Sequence, residues 1–161
     1  MKEFNITCTI KEVTESELEE KDLKLVQEAK EATKRSYAPY SQFNVGAAVE
    51  LEDGSIVSGT NQENAAYPSG LCAERTTLFY ANSRYPNLAV NTLAIAVNYK
   101  NKFTAVPTAP CGACRQVILE TEKRYNKKIK IILYGSEKIY IVNGIEDILP
   151  LTFGADDLNA E

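Results

Sequence analysis

Leu18, Leu25, Ala29 and Ala32 fall on one face at helical spacing, which predicts a helix over residues 14 to about 36. Thr14 and Glu17 have the spacing of a capping box at its start. The pattern then changes. After "YAPYSQF", the small and apolar run "NVGAAVEL" leads through Asp53 and Gly54 into "SIVSGT", a β-hairpin. "NTLAIAVN" lacks clean alternation, so it predicts a third strand covered on both faces. Two helices follow from the punctuation, one from near Cys72 to before Pro86, the other from near Cys111 to about Tyr125. "KIKIILY" and "KIYIV" are separated only by Gly135, Ser136 and Glu137, too few residues for a parallel crossover. These last two strands are therefore expected to be antiparallel. The sum is an α/β fold with a five-stranded mixed sheet and helices packed on it. "FNITCTIKEV" at the N-terminus is a candidate edge strand, and the apolar residues of "DILPLTFGADDL" need a surface to pack on.

Composition limits what this fold can be for. A chain of 161 residues with 44% hydrophobic content supports one sizeable core, so we expect a single domain over 1–161, with an extension at 1–13 and a tail at 150–161. A formal net charge of -4 and a pI near 5.1 argue against a surface that tracks phosphates, hence against nucleic acid as partner. The opening has no apolar signal-like core and no later stretch has the length of a membrane span, which points to a cytoplasmic protein with no membrane partner. The chain contains no histidine, which excludes Ser-His and Cys-His nucleophile pairs.

The cysteines carry the chemistry. Cys111 and Cys114, three apart in the first turn of one predicted helix, put two sulfurs on one side near the positive end of the helix dipole. Cys72 opens the other helix and meets them if the two helix N-termini lie level. Three thiolates make a zinc site with an open fourth position, the mark of a catalytic metal. Taken alone, the Cys-x-x-Cys spacing also fits a redox pair or two buried cysteines, and Cys8 could close a structural site. Glu74, two residues past Cys72, stands where a carboxylate reaches water in the open position without being a ligand: a general acid/base placement. Three thiolates outweigh a divalent cation, and Arg75 and Gln116 are the donors that could offset the surplus. The competing view of Glu74 and Arg75 is an ordinary surface pair on a first helical turn.

With these motifs in order, the sequence resembles the homotetrameric cytidine deaminases of the zinc-dependent deaminase superfamily, which share a Cys-x-Glu and Pro-Cys-x-x-Cys signature. The resemblance runs over residues 30 to 158 through "YAPYSQFNVGAA", "NQENAAYPSGLCAERT", "PCGACRQ" and "LPLTFGADDL". It implies a three-layer α/β/α sandwich, a Zn2+ cofactor on Cys72, Cys111 and Cys114, and Glu74 as the catalytic carboxylate. It implies, further, that Asn61 and Glu63 bind ribose hydroxyls, that Phe43 forms a wall beside the pyrimidine, and that the backbone of Ala73 bonds its edge. Counterparts of Ala65, Tyr67 and Phe153 reach a neighbouring subunit's site in tetrameric members. The implied reaction is hydrolytic deamination of cytidine and 2'-deoxycytidine to the uridines, with release of ammonia, in pyrimidine salvage. The short turn at 135–137 favours the nucleoside branch over deaminases of tRNA or single-stranded DNA, which place a helix there. Two other classes remain open at this point: a deaminase of a cytosine-containing nucleoside antibiotic, and a zinc-stabilised interaction module using all four cysteines. The extension at 1–13 departs from the commonest short members. Tyr80, Tyr99, Tyr125, Tyr134 and Tyr140 read as packing or surface residues.

Overall fold

The computed structural model describes residues 1–158; positions 159–161 of the expected tail lie outside the described residues. The strands are β1 (Lys11–Val13), β2 (Phe43–Leu51), β3 (Ile56–Thr60), β4 (Val90–Tyr99), β5 (Lys102–Phe103), β6 (Lys130–Tyr134) and β7 (Ile139–Asn143). They form one sheet in the order β1-β7-β6-β4-β2-β3, with the two-residue β5 paired to the end of β4. Only β4 and β6 run parallel; the other pairs are antiparallel, β6 with β7 included.

The expected five strands are all present, and the sheet has two more. β5 arises because Lys100 and Asn101 both take left-handed backbone angles (φ 51° and 65°) and turn the chain back on β4, a local conformation that no hydrophobic period announces. β1 is the candidate edge strand, reduced to three residues. The first helix is also shorter than expected. Thr14 and Glu17 do form a capping box, but it caps a single 3-10 turn at Glu15–Glu17. The chain extends at Leu18 before α1 begins, and α1 covers Glu20–Ala32, ending in a further 3-10 turn over Thr33–Arg35. The other helices are α2 (Ala73–Arg84), α3 (Gly112–Tyr125) and the short α4 (Ala155–Leu158).

Period-two alternation divides the central strands between two cores. Ala47, Val49, Leu93, Ile95, Ile131 and Leu133 point to one face and are buried with Ala73 and Leu78 of α2 and Ile118 and Leu119 of α3. Ala48, Ala94, Ala96, Ile132 and Tyr134 point to the other, against Leu25, Val26 and Ala29 of α1. The result is helix, sheet, helix. The alanines let α1 lie close, and Gly46 takes this to its limit: a Cβ there would stand 2.1 Å from the Ala29 carbonyl oxygen. On the opposite face Gly59 admits α2, since its Cβ would meet the Thr77 hydroxyl at 2.6 Å. Both glycines therefore set how deeply the helices seat. Of the C-terminal segment, Ile145 and Ile148 find the core, while Leu151, Phe153 and Leu158 remain exposed.

Candidate active site

Cys72 and Cys111 occupy the N-cap positions of α2 and α3, with extended backbone in both cases. Their carbonyls accept the first helical hydrogen bonds, from Thr76 N–H (3.0 Å) and Arg115 N–H (2.9 Å), and neither side chain makes a capping hydrogen bond. Cys114 stands in the first turn of α3, fully buried. The level placement of the two N-termini brings the sulfurs together: 3.9 Å from Cys72 Sγ to Cys111 Sγ, 3.5 Å from Cys111 to Cys114, and all three within 4.8 Å of one another. Three donors at about 2.3 Å from a tetrahedral zinc stand about 3.8 Å apart, so the trio fits the ion. Its acid-base chemistry fits as well. Hydrogen bonding from the Cys114 thiol, aided by Arg75 Nη2 at 3.5 Å, brings the Cys72 thiol down to about 5. Cys114, the donor in that arrangement and buried, is pushed well up. Crowded sulfurs give up one proton easily and hold the next, which is the situation a divalent cation relieves. Among the described residues no other group of this kind occurs, and Cys8 lies exposed in the N-terminal segment, outside the trio.

Glu74 follows Cys72 into α2 and is only 6% exposed. Burial, and then the nearby Cys72 charge, push its carboxyl above the usual carboxylate range. Beside it opens a cavity of about 640 Å³, lined by Phe43, Val45, Ile95, Val97 and Tyr99 together with Asn61, Glu63, Glu74, Cys72 and Cys111. The apolar wall follows from register. Phe43 pairs with Tyr99 and Val45 with Val97 across β2 and β4, and these odd-numbered residues face α2 and α3 as the inner ones do. The Phe43 and Tyr99 rings lie 6.0 Å apart at 52°. The sulfur-bearing Cys72 and Cys111 and the carboxylate of Glu74 thus share one cavity with an apolar wall.

Loop geometry fixes the polar side. Gln62 and Leu71 exchange backbone hydrogen bonds of 2.8 and 2.9 Å, and Glu63 N–H donates to the Tyr37 carbonyl at 2.8 Å. The segment 61–63 is thus strapped between the chain after α1 and the residue before Cys72. Asn61 Oδ1 accepts from Ser36 Oγ (2.6 Å) and Val45 N–H (2.8 Å), and its Nδ2 donates to the Phe43 carbonyl (2.8 Å). Glu63 accepts Tyr40 N–H at 2.9 Å, Ser41 N–H at 3.3 Å and the Ser41 hydroxyl.

The remaining sequence candidates fall further out. Ala73 is the first residue of α2, buried, where a backbone N–H has no intrahelical acceptor. Tyr67 is 80% exposed and lines a second cavity of about 550 Å³ with Tyr40, Gln62, Leu71 and Arg75; it opens beside the first and shares Ser41, Asn61, Glu63 and Cys72 with it. Ala65 is exposed. Phe153, 60% exposed, touches the site only indirectly: its carbonyl accepts the Gln116 amide at 2.8 Å, so the hydrogen bond of Gln116 runs to the tail and not to a sulfur. Sequence reasoning passed over Ser41, Val45, Thr108, Ala109 and the strand residues Ile95, Val97 and Tyr99, all of which line the inner cavity. For Tyr99 the missing signal was the pairing with Phe43, visible only once the β2–β4 register is known.

Comparison with known proteins agrees with this geometry. Residues 19–129 match the cytidine and deoxycytidylate deaminase zinc-binding region. The cytidine deaminase of Halalkalibacterium halodurans is 38% identical over 143 residues, 84% of this chain and 96% of that protein. That of Sporosarcina psychrophila is 40% identical over 144 residues, 84% and 93% respectively. The crystal structure of cytidine deaminase from Burkholderia pseudomallei superposes with a TM-score of 0.69 at 36% identity, over 81% of this chain and 97% of the other.

Proposed function

Because the chain belongs to the cytidine and deoxycytidylate deaminase zinc-binding family, we propose that its cleft hydrolyses cytidine and 2'-deoxycytidine to the corresponding uridines, releasing ammonia. The observation that carries this reading is Glu74, a buried carboxylate that stands beside three convergent sulfurs and lines a cavity with an apolar wall. Cys72, Cys111 and Cys114 would hold the zinc, Arg75 would temper their charge through Cys72, and the ion would supply Lewis acidity for the hydrolysis at C4 of the pyrimidine.

The protein's own groups do the rest. Phe43, Tyr99 and the β-strand aliphatics exclude solvent from the ring and hold it flat, while the N–H at the start of α2, at Ala73, is available to the ring's edge. Glu74 takes the proton of the attacking water and delivers it to N3. It then takes the proton of the new C4 hydroxyl and passes it to the exocyclic amine, so that the C4–N bond breaks with ammonia as leaving group and the C4 carbonyl forms. Its raised proton affinity suits both halves of this transfer. Asn61 has one amide N–H beyond its three internal bonds for a sugar hydroxyl, and Glu63 is an acceptor for another. The antiparallel β6–β7 pair supports a nucleoside substrate rather than a polynucleotide.

The direct test is the loss of cytidine absorbance with equimolar ammonia release by the purified protein; no turnover would refute the assignment. Cytidine is expected to exceed 3'-deoxycytidine in kcat/KM by about tenfold to a hundredfold, the range for a lost hydrogen bond to a charged group. Equal values would remove the sugar role of Glu63.

The exposed Tyr67 and Phe153 support assembly into a homotetramer whose neighbouring subunits cover the outer cavity. Light scattering is expected to give the mass of four chains; a stable monomer with full activity would overturn this. Pyrimidine salvage in the cytoplasm is the setting that free, zinc-ready thiols and a nucleoside substrate favour, and no described helix is long and apolar enough to cross a membrane.

A further inference from the structure

Ser41 sits where the two cavities meet and lines both. Its hydroxyl donates to Glu63 Oε1, while its own N–H and that of Tyr40 donate to Oε2, so both carboxylate oxygens are held by one short stretch of chain. The same hydroxyl accepts the Phe43 N–H at 3.0 Å. Ser41 therefore joins the acid of the sugar side to the backbone of the ring wall. The bend that allows this is at Gln42, whose φ is 57°. These donors, the Ser41 hydroxyl foremost, hold Glu63 below the usual carboxylate range.

We propose that Ser41 is a positioning residue that aims Glu63 at the ribose and thereby sets how strongly the enzyme selects for the sugar hydroxyls. The proposal rests on the reading of Glu63 as the sugar-binding acid. A carboxylate has more acceptor sites than three donors fill, so Glu63 can receive a substrate hydroxyl while Ser41 fixes its direction. Without the hydroxyl, Oε1 is free to rotate or to take water, and the directional bond to the sugar loosens. The linkage through Phe43 N–H makes the sugar and ring contacts move as a unit, which a freely rotating glutamate on an open loop could not do.

The test uses the zinc-loaded protein with cytidine and 3'-deoxycytidine as paired substrates. For Ser41→Ala, KM for cytidine is expected to rise about tenfold, the cost of one charge-assisted bond, with kcat changed by less than about threefold because the reacting centre is untouched. KM for 3'-deoxycytidine is expected to stay nearly the same, so that discrimination between the two falls about tenfold. Ser41→Thr, which keeps the hydroxyl at an exposed position, should restore discrimination. Zinc content and kcat report whether the variants are folded. A loss shared equally by both substrates, or a threonine variant no better than alanine, would overturn the proposal and leave cytidine deamination intact. If the wild type turns over cytidine without discriminating, the sugar reading of Glu63 fails, and the proposal with it; if it turns over neither substrate, the functional assignment itself is wrong.

Discussion

Glu74→Gln is expected to bind zinc at the wild-type ratio of one per chain and to lose about 10²- to 10⁴-fold in kcat, the contribution of a positioned general acid/base. The replacement keeps the shape of a side chain buried in the first turn of α2, so the sulfur trio and the apolar wall should persist. What it removes is the ability to hold a proton at one moment and release it at the next. KM for cytidine should change little, because the ring wall and the sugar contacts belong to other residues. Single-turnover loss of cytidine absorbance, with metal analysis on the same sample, is the measurement. A variant that retains zinc and turns over within a few-fold of wild type would show that protons move by another route. A variant that loses zinc would show that Glu74 holds the metal site together instead of serving the substrate. The two outcomes are separable because the three sulfurs converge without Glu74, at a spacing that suits three ligands of a tetrahedral ion, so the metal does not need its carboxylate.

The parts of the molecule legible in the sequence are those governed by short-range rules. Cys111 and Cys114 had to share a side because helical geometry brings residues three apart together, and the three-residue link at 135–137 could only make an antiparallel pair. Cys72 beside them was a weaker inference, resting on how two helices pack. It held because both helices seat their first turns on the same face of one sheet. What escaped was pairing information. Tyr99 reads as a packing or surface residue until β4 is laid antiparallel to β2 in a register that puts it opposite Phe43. Ser41 is invisible for a related reason, because its partner lies 22 positions away across a loop crossing. The first helix misled through a true local signal: the Thr14–Glu17 box exists, but it serves a 3-10 turn from which Leu18 leaves in extended conformation. A capping motif states that some helix-like turn starts, not how far it continues.

Cys114→Ser is expected to lower zinc affinity by more than about 100-fold, beyond the 10- to 100-fold that follows from disturbing a group one bond further from the metal. Activity should fall in proportion to zinc content. Cys114 is the most informative of the three ligands because it alone is fully buried, in the first turn of α3. Serine is nearly isosteric and carries a poorer, harder donor for zinc, so the variant separates loss of the sulfur from loss of shape. Cys8→Ser supplies the contrast. Exposed and outside the trio, Cys8 should be replaceable with no change in zinc stoichiometry. Treating the wild type with a strong chelator should abolish turnover, and restoring zinc should return it, because the thiols stay reduced and the fold has an extensive core on each face of the sheet. Fully zinc-loaded, active Cys114→Ser would break the ligand assignment; loss of zinc from Cys8→Ser would mean that the fourth position is filled by protein, leaving no room for the water on which the proton transfers of Glu74 depend.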